Sequence, residues 1–464
     1  MFVNDLRCSG ATAGAMIIAF LAMMTTAQGC FRANPVLRVE FEEKIVPVSP
    51  INLPDSGWGT VLNQVFEGLF QISRSGQLLP VLVKDWSVDT SFRDFKFILR
   101  DDVVFHNGQK LTADDVAYSL DQFRAKSSQM SASFLFSEIA SVSALNPASV
   151  RVVLRKSSPD FLFFLATPTV KIYPKGIFEK EASNPRAQWV GTGAFFLKSI
   201  TESSLVLERF DQYREKFRLG GVIFQRESDS KSSFQRGDLD VLEVLRKDLP
   251  TYREDKRYLV NSFPMLGTFF LGFNLQHSAF KNVNLRRAIY HAIDRSKIID
   301  GVTISDGMVP SGTIPYGLLG YKPARSSRNL GEARRLLSLV PRSQWPRPED
   351  MDLLMPKVPH PMALFAIEQI NRDLAEIGLP PLRARSMKED FGFGNWGDYF
   401  HSLKENRRFA FYLRGSIAVT PSTEYFLRDL FDPQSPMNLS GYHSDEYLDF
   451  LRSPPKDILE KTLH

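Results

Sequence analysis

Apolar and polar positions alternate over residues 94–100, which places Phe95, Phe97 and Leu99 on one face and predicts a half-buried strand. Further runs predict strands at 36–41, 149–154, 204–208 and 266–274, with a short one at 352–355. Elsewhere the period lengthens toward 3.6. Val61, Val65 and Leu69, spaced by four, predict a helix behind a Pro- and Gly-rich loop at 47–60. Val116, Leu120 and Phe123 stripe a second helix, for which Thr112 offers a capping hydroxyl and Asp115 the side chain that answers it. Asn284 is placed to cap a helix over 285–299 with Leu285, Ala288, Ile289, Ala292 and Ile293 inward, and Asn329 to cap one with Ala333, Leu336 and Leu337 inward. Ile367, Ile370, Leu374 and Ile377 line a helix over 362–377 that stops at Gly378. Six prolines between 341 and 361 mark a crossing loop. Strands and helices interleave without repeats, so the class is α/β or mixed α+β.

Composition narrows the function classes. With 464 residues, 43% hydrophobic and 23% charged, the chain is neither disordered nor built of many membrane spans. Its length suits two to four domains at roughly 100–200 residues each. Lys+Arg 57 against Asp+Glu 52 gives a scattered +5, which does not imply nucleic acid. The 37 Phe are expected mainly in the core, with some available to line an apolar pocket.

The two cysteines, Cys8 and Cys30, both lie in the first 30 residues. Arg7, the apolar stretch 11–27 and Gln28-Gly29-Cys30 read as a secretory signal over residues 1–29. The segment resembles a bacterial lipoprotein signal peptide, which implies that Cys30 becomes the lipidated first residue of the mature chain. Ala27 and Gln28 depart from the usual Leu-small-small pattern, and a plain secretory signal or an uncleaved anchor also fits. Beyond Cys30 the chain has no cysteine for a disulfide, a thiolate zinc site or a thiol nucleophile.

Motifs for catalysis are missing. Gly392, Gly394 and Gly397 spell G-x-G-x-x-G, but Met387-Lys-Glu-Asp before them is no buried strand, so the segment reads as an aromatic-glycine loop. The seven His include no H-E-x-x-H and no close pair. No catalytic residue, metal ligand or cofactor is assigned, and binding is favoured over catalysis.

A longer pattern runs from residue 65 to 120. It reads Val65-Phe-Glu-Gly-Leu69, Gly76-Gln-Leu-Leu-Pro80, Asp85-Trp86, Phe95-Lys-Phe-Ile-Leu-Arg100, Asp101-Asp-Val-Val-Phe-His106-Asn-Gly108 and Leu111-Thr-Ala-Asp-Asp-Val116-Ala-Tyr-Ser-Leu120. Val190-Gly-Thr-Gly-Ala-Phe195, Gly272-Phe-Asn274, Leu285 to Arg295, Pro310 to Pro315, Glu368 to Gly378 and Asn438-Leu-Ser-Gly-Tyr442 follow in order. Over about residues 35–455 this resembles the family 5 extracellular solute-binding proteins of ABC importers, the peptide- and nickel-binding group.

The resemblance implies a two-lobed clamshell of the periplasmic-binding-protein type II class, with an extra subdomain in lobe I. Residues 30–262 would form lobe I and 263–464 lobe II. A peptide-like or other small solute would sit in the cleft and pass to ABC permease subunits, with the protein a tethered monomer in the cell envelope. Most motif residues, Phe105 to Gly108 and Thr112 among them, are expected to serve the fold. Candidate ligand contacts are Gly57, Trp58, Arg414, Gly415, Ser416, Ile417 and Asn438.

Two departures stand out. In peptide-binding members a segment of the type W-g-a-D-y-p-D-P carries an Asp for the peptide's amine. By order it falls on Arg414 to Pro421, which puts Ile417 at the Asp and Arg414 at the Trp. An ammonium against Ile417 would go unpaired, whereas Arg414 would suit a carboxylate or another anion. The chain also ends at His464, short of the family's return to lobe I, so a binding-degenerate or sensory relative acting through protein partners is the alternative.

Overall fold

The structure, a computed structural model, describes residues 35–452 except 42–44, 46–48, 52–57, 74–75, 126–135, 245–247, 262–265, 303–306, 319, 325–327, 356–360, 387–408, 419–420, 434 and 436. The leader, Cys30, Gly57 and the glycine motif at 392–397 therefore lie outside the described residues. Two compact units emerge, 35–243 and 244–452. The division falls at Glu243/Val244, ahead of the expected 262/263, and the helix Leu249–Glu254, with Leu249 and Tyr252 buried, goes with the second unit.

The first unit holds β1 (Val36–Glu40), β2 (Phe70–Ile72), β3 (Leu78–Pro80), β4 (Val83–Val88), β5 (Asp94–Leu99), β6 (Ile139–Asn146), β7 (Ser149–Leu154), β8 (Phe195–Ile200), β9 (Ser204–Arg209) and β10 (Gly221–Gln225). One sheet runs β1-β10-β9-β8, and a second, antiparallel one runs β4-β5-β7-β6. The alternation that predicted β5 is realised: Phe95, Phe97 and Leu99 are buried while Lys96 and Ile98 face solvent. Fully buried phenylalanines, among them Phe66, Phe70, Phe123 and Phe136, fill this unit, as the composition implied. The helix Ala113–Ala125 starts where expected, but Thr112 does not cap it by accepting. Its amide and hydroxyl both donate to Asp115 Oδ2, at 2.8 and 2.7 Å, because the carboxylate is the stronger acceptor.

The second unit is one mixed sheet, order β11 (Gly267–Phe273), β14 (Phe411–Ile417), β12 (Asp352–Met355), β13 (Arg383–Ser386). β11 and β14 are antiparallel; β14, β12 and β13 are parallel. Helices Val283–Ala292, Leu330–Ser338 and Pro361–Ala375 bury their apolar stripes with one face of the sheet in a continuous core. Asn329 caps its helix as expected. The cap of the preceding helix is Asn282, two residues ahead of Asn284, whose N–H it accepts at 2.9 Å.

The single helix expected over 285–299 is two, Val283–Ala292 and Arg295–Val302. Ile293 is extended (φ −74°, ψ 126°). The freed N–H of Asp294 donates at 2.7 Å to Asp373, a buried carboxylate on the helix Pro361–Ala375. That partner is distant in sequence, so the periodicity could not reveal the break. Gly378, just beyond the helix Pro361–Ala375, has φ +76°, as a left-handed terminus requires.

Candidate functional site

Four of the seven candidate contacts lie on β14, and its two faces behave differently. Phe411, Leu413, Gly415 and Ile417 share one face, paired across the ladder with Phe273, Leu271, Phe269 and Gly267. The first two pairs sink into the main core. The last two emerge: Phe269 is 45% and Ile417 54% exposed, and the residue opposite each is a glycine. On the other face Tyr412, Arg414 and Ser416 alternate with them. There Phe270, opposite Arg414, packs on a small core of Leu318, Phe426 and Leu430.

Main-chain geometry adds a second feature. Ala418 donates its N–H to the Leu266 carbonyl at 2.7 Å, which sets the phase of the antiparallel ladder. Thr268↔Ser416 and Phe270↔Arg414 are then the hydrogen-bonded pairs, and Gly267↔Ile417 and Phe269↔Gly415 the pairs between them. The amides and carbonyls of Gly415 and Ile417 consequently point away from β11. On that side β12 pairs only with Phe411 and Tyr412. Among the described residues, no strand covers the β14 edge from Gly415 to Ile417. Such an edge offers donors and acceptors to an extended chain.

The remaining candidates are placed differently. Arg414 is mostly buried and lies 3.6 Å from Asp429 Oδ2 on the helix Thr423–Phe431, with a 3.5 Å bond to the Met437 carbonyl. Burial raises the Asp429 carboxyl above its ordinary range and the Arg414 charge opposes that rise. An anion at Arg414 has to compete with a carboxylate already there. Ser416 is buried beside Thr268, whose hydroxyl donates to the Thr313 carbonyl. Asn438 is a loop staple: its amide nitrogen donates toward Phe431, Asp432 and Tyr442 carbonyls, and its oxygen accepts from Ser440 and Tyr442. Trp58, in the other unit, is fully buried against Phe41 and Trp189. Among the described residues no group of three or more His, Cys, Asp or Glu could hold a metal ion.

Residues 77–437 match the model of the bacterial extracellular solute-binding proteins, family 5. The chain belongs to that family. It is 24% identical over 321 residues to the oligopeptide-binding protein OppA of Bacillus subtilis, and 22% over 307 residues to the nickel-binding periplasmic protein of Escherichia coli. Each match covers 63% of this chain and 58% of the relative. The dipeptide-binding protein of Pseudoalteromonas, solved with Met-Leu, superposes with TM-score 0.75 at 18% identity, covering 92% of this chain and 90% of that one. The binding protein AgaA of A. tumefacien, solved with agropinic acid, gives 0.72 at 23%, covering 92% and 85%. The fold is thus that of type II periplasmic binding proteins.

Within this family member the best-matched motifs serve the fold, as expected. His106 joins two of them. Its Nδ1 accepts the Gly191 N–H at 3.2 Å and its Nε2 lies 3.0 Å from the Gly193 carbonyl, an arrangement that fits the Nε2–H tautomer. Burial pushes its pKa down to about 4. Gly191 and Gly193 have no room for a side chain: a Cβ would stand 1.9 Å from the Val65 carbonyl oxygen and 2.4 Å from that of Gln64. Glu67 accepts hydrogen bonds from both terminal guanidinium nitrogens of Arg214, at 2.6 and 2.8 Å, and from the Tyr213 hydroxyl at 3.1 Å. Beside it Lys171 is buried on Asn63 Oδ1, and burial lowers its pKa to about 8. Two relevant residues escaped sequence reasoning. Phe269 sits in an unbroken apolar run that hides which position faces out, and Asp429 is one carboxylate among many.

Proposed function

We propose that this chain is the substrate-binding component of an ABC transporter, capturing a peptide-like or other small solute and handing it to a membrane permease. The observation that carries this reading is the open main-chain edge at Gly415 and Ile417, on a member of a solute-binding family. Strand addition at such an edge holds an extended ligand by its backbone and leaves side-chain preference to the neighbours. The mature protein is a monomer in the cell envelope, tethered through a lipid on Cys30, and it binds rather than transforms its ligand.

The alternative, a binding-degenerate or sensory relative, draws support from Ile417 at the place of the amine-binding Asp. Thermal shift separates the two. A ligand at 100 times its Kd adds about 2.7 kcal/mol to the folded state, a rise of several degrees. A library of peptides, sugars, metals and anions containing no member that raises Tm would sink the transport reading.

A further inference from the structure

The exposed end of the β11–β14 ladder has an unusual make-up. Across the two strands Phe269 faces Gly415 and Ile417 faces Gly267, so two apolar side chains and two glycines alternate as on a chequerboard. Phe269 and Ile417 are 45% and 54% exposed. Among the described residues, a Cβ on Gly415 would meet nothing closer than Phe269 Cδ2 at 3.9 Å, an ordinary contact, so there is room for a small group beside the ring. Phe269 and Ile417 can donate or accept no side-chain hydrogen bond there. Arg414 lies on the opposite face of β14, where it approaches Asp429 at 3.6 Å. The main chain at Gly415 and Ile417 still presents its polar groups outward.

Resting on the solute-binding reading above, we infer that the solute lies extended along β14 and places an uncharged, apolar group beside Ile417. An ammonium or carboxylate at that position exchanges water for aliphatic carbon and, among the described residues, meets no counter-charge on that face of the ladder, which is unfavourable. An apolar group covers Phe269 and Ile417 and fills the notch over Gly415, while the backbone behind it bonds to the edge. Ile417 and Phe269 are then specificity-determining residues. Arg414 holds Asp429 and leaves the solute alone.

Isothermal titration of the full-length protein with two probes tests this. One is the doubly blocked peptide acetyl-Leu-Ala-Ala-amide, the other the free zwitterion Leu-Ala-Ala. The blocked peptide is expected to bind at least tenfold more tightly. Ile417→Asp and Ile417→Lys, both at a half-exposed position and checked for unchanged melting, are expected to lower its affinity at least tenfold, and Phe269→Ala severalfold. Equal or tighter binding of the zwitterion overturns the inference while leaving the solute-binding reading intact. The same holds if both charged variants bind the blocked peptide as the parent does. Failure of both probes to bind removes the peptide-binding reading and the inference with it.

Discussion

Gly191 and Gly415 show how differently a glycine can matter within one chain. The first lies against the Val65 carbonyl, where a Cβ would come within 1.9 Å, whereas at the second a Cβ would make only an ordinary contact, at 3.9 Å to Phe269 Cδ2. Gly191→Ala should therefore destabilise by roughly 3 kcal/mol or more, since backbone has to move. Gly415→Ala should be neutral or stabilising by up to about 1 kcal/mol, because a strand glycine gives up more conformational freedom than alanine. Urea denaturation of the two variants checks this, and equal losses would refute it. His106 makes a second residue-scale prediction. Its folded pKa, about 4, lies below the unfolded value of about 6.5. The unfolded chain thus binds more protons between those limits, so the contribution is present above pH 6.5 and lost as pH falls toward 4. With partial exposure the loss is roughly 2–3 kcal/mol. His106→Gln should flatten the stability profile between pH 4 and 6.5 relative to the parent, and unchanged slopes would count against the lowered His106 pKa. Of these residues, Gly191, Gly193 and His106 were legible as motif members. Their joint role was not, because nothing in sequence joins position 106 to 191.

Elements were legible where one physical signal dominated. β5, β7 and β12 follow from alternation or a short apolar run, and the helix Leu330–Ser338 from its stripe and its Asn329 cap. The exception was the helix expected over 285–299. Its apolar spacing continues through Ile293, yet the chain bends there because Asp373 supplies a buried acceptor for the Asp294 N–H. Asp373 also accepts from Gln369 at 3.0 Å and lies 3.3 Å from Arg328. Removing it by Asp373→Ala should leave the buried Asp294 amide without its acceptor while Arg328 keeps Glu376 at 2.7 Å, costing about 1–3 kcal/mol. Guanidinium unfolding measures this, and a loss under about 1 kcal/mol would mean the bend is held by other contacts.

For the whole molecule, the decisive sequence feature was order: motifs spread over most of the chain pointed to one family, and residues 77–437 match its model. The tether proposed at Cys30 belongs to this scale, since it sets where the protein works. No helix among the described residues is long and apolar enough to cross a membrane. Cys30→Ser should move the protein from the membrane pellet to the soluble fraction of lysed cells. Retention in the pellet would exclude lipidation as the anchor.

The sequence by itself determined the family, the α/β class, most strands and helix stripes, and the segment Arg414 to Ile417 as a place of interest. Each of these rests on local periodicity or on residue order, which a linear chain carries in full. Tertiary structure decided the rest. It set which face of β14 emerges beside Phe269, and it showed that Arg414 is held by Asp429 and that Asn438 staples a loop. It also showed that the edge at Gly415 and Ile417 lacks a β12 partner among the described residues. Those facts depend on pairing register and on which polar partners the folded chain brings to each side chain. Hydrophobic pattern cannot encode them, because the same apolar residue satisfies it whether it ends in a core or at an open edge.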